Sequence, residues 1–334
     1  MSFIYKTNNL VDMVTGSSHP NIALKTAENL NISLSEIELR QFPNTEMYVR
    51  YNESIRHNHI VIIQSLVANN SYSVNDALME LVLMIDAARR ASATEITVVM
   101  PYMAYSRQDR KAKGREPISA AAVVNILQSA GANRLVSVDM HSAQTQAVFN
   151  GPFDHLTAEG AIRDSIKEYI DNNPDDYIVV SPDGGRAKVA EHYAEQIGVD
   201  VAYVPKTRSK SNSGVILRPD SIPGVENSVC ILIDDMIDTA GTLISAATTL
   251  KNSGAKKVIA ATTHGIFSDP ALERLSGPQI DVLFATDTVP LDKAKEVLGD
   301  KLHEISIAPV LALAIEAIVS GGSVSDIFQG HNYL

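Results

Sequence analysis

The sequence predicts an α/β protein of two domains, each a mostly parallel sheet flanked by helices. Three observations carry this expectation. Continuously aliphatic runs, such as HIVIIQSL at 59–66 and VCILI at 229–233, suit strands covered on both faces, as in parallel sheets. Helical patterns separate most of these runs, as crossover connections demand. The alternation pauses near NGPFDHLT, at 150–157, and then restarts, which divides the chain into domains at 1–155 and 156–334.

The elements follow in order. HIVIIQSL (59–66) reads as a strand, VNDALMELVLMIDAARRAS (74–92) as an amphipathic helix, and EITVVMPYM (95–103) as the next strand. ISAAAVVNILQSAG (118–131) is a helix with a glycine stop, and RLVSVDMH (134–141) a strand. The second half gives helix 157–170, strand 177–183, helix 187–198 and strand 200–206. After a polar stretch come strand 229–235, helix 241–253, and strands 257–267 and 280–288.

Composition removes several function classes. The 334 residues are 45% apolar, ample for a sizeable core, and no low-complexity tract suggests disorder. A net charge of −11 argues against a general nucleic-acid surface, so any basic groups that matter must be local. The single cysteine, Cys230, excludes a disulfide framework or a cysteine-based zinc site and reads as a small buried hydrophobe. The start, MSFIYKTNNLVDMV, lacks the pattern of a secretory signal, and no apolar run is long enough to span a bilayer. The expectation is a soluble, cytoplasmic protein without nucleic-acid or membrane partners.

In open parallel sheets, ligands bind beyond the carboxyl ends of the strands. Polar residues gather there: Tyr105, Arg107, Gln108 and Asp109, then His141, Asp183, Lys206, and the pair Asp234 and Asp235. One such residue means little, because loops are polar; five strand ends together point to a site. The stretch VCILIDDMIDTAGTLISAATTL (229–250) says most. A small-residue turn opening a helix presents backbone N–H groups and the positive end of the helix dipole, which suits a phosphate. Thr239 and Thr242 add hydroxyl donors. Carboxylates beside that cradle need another target, such as vicinal sugar hydroxyls or a divalent cation. A phosphorylated sugar satisfies both halves, whereas ordinary helix capping explains one acid but not three. A Walker-type GxxxxGK[ST] loop is absent.

These residues carry a resemblance. IDDMIDTAGT is similar to the phosphate and ribose loop of the phosphoribosyltransferase superfamily. NDALMELVLMIDAARRASA, PYMAYSRQDRKAKGREPISA, VDMHSAQTQAVFNGPFDHL, VVSPDGGRAKVA and ATTHGIFS, in this order, resemble the ribose-phosphate pyrophosphokinase family over nearly the whole chain. YSRQDRK with VDMHSAQTQ is the most specific part.

The resemblance implies two phosphoribosyltransferase-like domains and a defined reaction. The family transfers the diphosphoryl group of Mg-ATP to the 1-hydroxyl of ribose 5-phosphate, giving 5-phosphoribosyl 1-diphosphate and AMP. It implies that Asp238, Thr239, Ala240, Gly241 and Thr242 hold the 5-phosphate while Asp234 and Asp235 bind the ribose hydroxyls. His141 and Asp183 would ligate magnesium (Mg2+). ATP would meet Arg107, Gln108, Asp109 and His141, with Phe42, Asn44 and Glu46 at the adenine. Lys206 and Arg208 would be the catalytic cations of a lid spanning TRSKSNSGVILRPDS. The family also implies a homo-oligomer, a dimer or hexamer, in which Phe42 and Glu46 complete the active site of a neighbouring subunit.

Four features depart from the family pattern. Phe-Pro-Asn-Thr-Glu replaces Phe-x-Asp-Gly-Glu, Thr207 stands between Lys206 and Arg208 where a base is usual, the segment after Asp183 is short, and the N-terminal stretch differs. Two rival readings remain. A non-catalytic, synthetase-associated regulator would have no need of Lys206, Arg208, His141 and Asp183. A base-using phosphoribosyltransferase would explain the acid-and-turn stretch but not YSRQDRK.

Overall fold

Most of the aliphatic runs are parallel β-strands buried on both faces; the strand Asp200–Tyr203, at the edge of its sheet, is not. The computed structural model describes residues 3–4, 10–181, 187–203 and 222–328. The chain divides into two units. The first comprises the residues up to Ala158, with Thr288–Pro290 and the segment starting at Ser306; the second comprises Glu159–Asp287 and Leu291–Ile305.

The first unit contains β1 (Phe3–Ile4), β2 (Leu10–Thr15), α1 (Pro20–Asn29), β3 (Ile37–Gln41), β4 (Met47–Tyr51), β5 (His59–Ile63), α2 (Val74–Arg90), β6 (Glu95–Met100), α3 (Ser119–Ala130), β7 (Arg134–Val138) and β8 (Phe153–Leu156). The sheet order is β1-β2-β5-β6-β7-β8, with β1 antiparallel to β2 and the remaining pairs parallel. Every residue of β5 is buried, which is why its run shows no alternation. α2 begins at a capping box in which Asp76 N–H donates to Ser73 Oγ and Ser73 N–H to Asp76. It buries Ala77, Leu81, Met84, Ile85 and Ala88 on one stripe. Gly131, at φ 128°, stops α3 where the glycine stop was expected. β3 and β4 form a separate antiparallel hairpin, seated on α2 through Tyr51, whose hydroxyl donates to the Met84 carbonyl at 3.1 Å.

The second unit runs α4 (Glu159–Asn172), β9 (Tyr177–Ser181), α5 (Ala187–Ile197), β10 (Asp200–Tyr203), β11 (Val229–Ile237), α6 (Gly241–Asn252), β12 (Lys257–Gly265), α7 (Ala271–Ser276), β13 (Val282–Thr286), α8 (Asp292–Leu298) and β14 (Leu302–Ile305). Its sheet, β10-β9-β11-β12-β13-β14, is parallel throughout. Cys230 is buried within β11, and burial pushes its thiol up to about 12, so it is inert.

One element sits elsewhere than the sequence boundary implied. Helix α9 (Ala308–Ser320), in a segment that the expected 156–334 domain includes but for which no element was expected, belongs to the first unit and packs against α1. Its apolar stripe of Leu311, Ala312, Ile315 and Val319 is buried, and an apolar stripe does not announce which partner will cover it. None of the described helices is long and apolar enough to cross a membrane.

Candidate active site

In the second unit, β11 carries Asp234 and Asp235 in its last turns of pleat, and the chain bends at Asp238 and Thr239. Ala240 then adopts a left-handed conformation, φ 59°, which for a residue with a Cβ costs on the order of 1 kcal/mol. That twist lets α6 begin at Gly241 with no side chain capping its first turn. Thr239, Gly241 and Thr242 are exposed, Ala240 is buried, and the three aspartates are half-buried. An uncapped helix start with small, exposed residues presents backbone donors to an anion. The carboxylates precede it on the strand, and Asp235 N–H donates to Asp234 Oδ1 at 2.9 Å. The loop thus sets an uncapped helix start directly after a strand that ends in acids.

In the first unit, β6 and β7 are neighbouring parallel strands, so the segments following them emerge at the same sheet edge. Arg107, Gln108 and Asp109 follow β6; His141 follows β7. Tyr105, at φ 66°, turns the chain and donates its hydroxyl to Asn75 on α2. Gln108 is held on three sides: its N–H donates to Tyr105 O at 3.1 Å, its carbonyl accepts from Ala120 N–H at 3.2 Å, and its Oε1 accepts from Ser119 Oγ. Its Nε2 is thereby oriented as the donor that can meet a base. Arg107 and His141 are exposed and Asp109 half-buried.

Two residues that the sequence reading did not single out shape the approach to His141. Asp139 sits at φ 36°, and its Oδ2 accepts from Ala158 N–H at 3.0 Å. His155 Nε2 accepts from Met140 N–H at 2.8 Å, which places its remaining proton on Nδ1. Burial lowers the pKa of His155, although Asp139 opposes this, so the imidazole is kept in the neutral form that can accept. Both lie within VDMHSAQTQAVFNGPFDHL, where the motif itself gives them no role; the β7–β8 pairing brings them together.

The β3–β4 hairpin carries Phe42, Asn44 and Glu46 in its connection. Phe42 N–H donates to Glu46 O and Thr45 N–H to Phe42 O, each at 2.8 Å, with Thr45 at φ 70°. Asn44 Oδ1 accepts from Glu46 N–H at 3.3 Å, so its carbonyl closes the turn. Phe42, Asn44 and Glu46 are all exposed, and Phe42 meets Tyr48 edge-on at 5.7 Å.

The family described as the N-terminal domain of ribose phosphate pyrophosphokinase matches residues 11–131, and that described as the phosphoribosyl synthetase-associated domain matches residues 181–329. A Bifidobacterium longum protein named ribose-phosphate pyrophosphokinase is 44% identical over 318 residues, covering 95% of this chain and 92% of that protein. The chain belongs to the ribose-phosphate pyrophosphokinase family. A relative of the same name from Caldanaerobacter subterraneus subsp. tengcongensis is 42% identical over 321 residues, covering 96% of this chain and 98% of its own. The crystal structure of phosphoribosylpyrophosphate synthetase from Mycobacterium smegmatis superposes with a TM-score of 0.83 at 41% identity, over 93% of this chain and 99% of that one.

Three residues expected at a ribose-phosphate pyrophosphokinase site, Asp183, Lys206 and Arg208, lie outside the described residues, as does the lid segment 207–221. Among the described residues, no group of three or more His, Cys, Asp or Glu gathers as a metal cage. Mg2+ takes oxygen ligands and commonly only one or two from protein; of the two that the resemblance implies, the carboxylate of Asp183 is of the usual kind and the imidazole of His141 is not.

Proposed function

We propose that the protein transfers the diphosphoryl group of Mg-ATP to the 1-hydroxyl of ribose 5-phosphate, forming 5-phosphoribosyl 1-diphosphate and AMP. The observation that carries this reading is the β11–α6 loop. It sets an uncapped helix start next to three carboxylates, within a chain that matches the family along almost its whole length.

The loop's backbone donors and the hydroxyls of Thr239 and Thr242 take the 5-phosphate, while Asp234 and Asp235 accept hydrogen bonds from the ribose hydroxyls. This fixes the sugar at both ends and holds its 1-hydroxyl in place, converting an encounter into an oriented approach. The O1–Pβ bond forms as the bond from Pβ to the α,β-bridging oxygen breaks, AMP leaves with that oxygen, and the hydroxyl proton is released. Arg107, Gln108 and Asp109 bind the nucleotide, with Gln108 Nε2 offered to the base. Lys206 and Arg208 meet the charge on the transferring group. His141 and Asp183 would hold Mg2+, which when bound neutralises the ATP phosphates.

The reading includes a homo-oligomer, at least a dimer, in which Phe42 and Glu46 of one subunit serve the adenine bound by its neighbour. It places the reaction in the cytoplasm. The test is incubation with ATP, ribose 5-phosphate and Mg2+, following nucleotides by chromatography. AMP formed in step with ribose 5-phosphate loss, without ADP, is the expected result. Absence of any nucleotide turnover would leave the non-catalytic regulator in its place.

A further inference from the structure

The β11–α6 loop lacks a cation of its own. From Val229 to Leu250 the chain has three aspartates and no lysine or arginine. Lys251 lies at the far end of α6, about 15 Å from its start at the rise of an α-helix. A phosphate dianion entering the cradle therefore meets carboxylates without a compensating side-chain charge from the same segment.

Arg274, on α7, supplies one. Its Nη1 donates to the carbonyl of Thr239 at 2.7 Å. The same nitrogen would stand 3.4 Å from a Cβ built on Gly241, so the guanidinium lies against the cradle's first helical residue. Arg274 is exposed, and a guanidinium has five N–H donors, of which the Thr239 carbonyl uses one. Turning the Thr239 carbonyl toward a cation also removes an oxygen dipole that would otherwise oppose an anion in the loop.

We propose that Arg274 is a ribose 5-phosphate-binding residue that works in two ways. It fixes the Thr239 carbonyl so that the following amides face the cradle, and it lends the 5-phosphate the positive charge that the loop lacks. The assignment rests on the reading of this loop as the 5-phosphate site.

The test compares wild type with Arg274→Gln and Arg274→Lys. Ribose 5-phosphate and ATP binding are measured separately by calorimetry at low and at moderate salt, with melting temperatures alongside. Arg274→Gln should weaken ribose 5-phosphate binding about ten-fold or more, the scale of a lost hydrogen bond to a charged group, with ATP affinity near wild type. Arg274→Lys keeps the charge but not the fork and should recover part of the loss. The salt dependence of ribose 5-phosphate binding should be flatter in Arg274→Gln, an effect that a purely structural arginine would not produce. In turnover, KM for ribose 5-phosphate should rise by a larger factor than kcat falls. Unchanged ribose 5-phosphate affinity and salt slope in Arg274→Gln overturn the proposal. Equal losses for ATP and ribose 5-phosphate, together with early melting of both variants, also overturn it. If Asp238→Ala loses ribose 5-phosphate while Arg274→Gln does not, only the arginine assignment falls. If wild type binds no ribose 5-phosphate, the reading of the loop falls with it.

Discussion

Arg40 lays its guanidinium over the ring of Phe42, with Cζ 4.7 Å from the ring centroid. The same group stands 4.1 Å from the centroid of Tyr48, and it is tied to Glu38 at 3.1 Å. The cation–π contacts brace the exposed ring at the tip of the hairpin and occupy one of its faces. On the adenine role proposed for Phe42, a purine would stack on this ring. Stacking a base on an aromatic ring contributes about 1–3 kcal/mol. Phe42→Ala should therefore raise KM for ATP by roughly ten-fold while KM for ribose 5-phosphate stays near wild type, as read from steady-state kinetics with each substrate varied. A Phe42→Ala enzyme with unchanged ATP dependence would remove the hairpin from adenine binding.

If that ring serves a neighbouring subunit, two inactive variants should rescue each other. Phe42→Ala/Glu46→Ala mixed with Lys206→Ala, after reversible dissociation, gives hybrids with one intact site in each mixed dimer, roughly a quarter of all sites. Activity returning to about that fraction of wild type supports a shared site. A mixture that stays dead although hybrids form shows that each subunit owns its whole site.

At the sugar loop, Asp238→Ala and Thr242→Ala should each weaken ribose 5-phosphate while sparing ATP. A lost contact to a charged group contributes about 1.5–3 kcal/mol, so apparent affinity should fall on the order of 10- to 100-fold. Equal losses for both substrates would assign the loop to the nucleotide.

Lys206→Ala should lower kcat by roughly a thousand-fold or more, in the range of cations that meet a transferring phosphoryl group. Substrate affinities and the melting temperature should stay close to wild type, because the charge acts mainly in the transition state. A variant that melts much earlier would make Lys206 a structural residue.

His59 offers a pH test of stability that is independent of the site. It is 7% exposed on β5, with Nε2 2.8 Å from Thr97 Oγ1. Burial lowers its pKa; Glu95 at 3.8 Å works against this and Arg134 with it. Between the lowered folded value and the unfolded value near 6.5, the unfolded state binds more protons, so stability rises with pH across that window. The contribution is fully present above the unfolded value and is lost as pH falls through the folded one. Urea unfolding from pH 7.5 down to pH 5 should show declining stability, and His59→Gln should flatten that decline. Identical slopes would mean that His59 is protonated as readily in the fold as out of it.

Much of this architecture was legible because the signals are local. The period and length of 74–92 gave α2, closed by the structure at Arg90, and the aliphatic run before Asp234 gave β11, which extends to Ile237. Short patterns were not legible: β2, β8 and β14 were missed, since four to six residues carry little periodicity, and α1, α7, α8 and α9 were missed as well. Expected strands also ran long at their carboxyl ends. β5 stops at Ile63 rather than 66 and β6 at Met100 rather than 103; the residues that follow leave the ladder but stay buried, so their apolar character reads as strand.

The sequence by itself determined the α/β class, the acid-and-turn stretch from Asp234 to Thr242 and the placing of Arg107 to Asp109 and of His141 after their strands. Hydrophobic period, turn chemistry and the order of parallel strands are properties of neighbouring residues. The tertiary structure alone decided that α9 joins the first unit, that Asn44 spends its carbonyl on a turn, and that Arg274, 35 residues from Thr239, reaches the cradle. An apolar stripe or a long basic side chain is compatible with many partners, and only the packed chain selects among them.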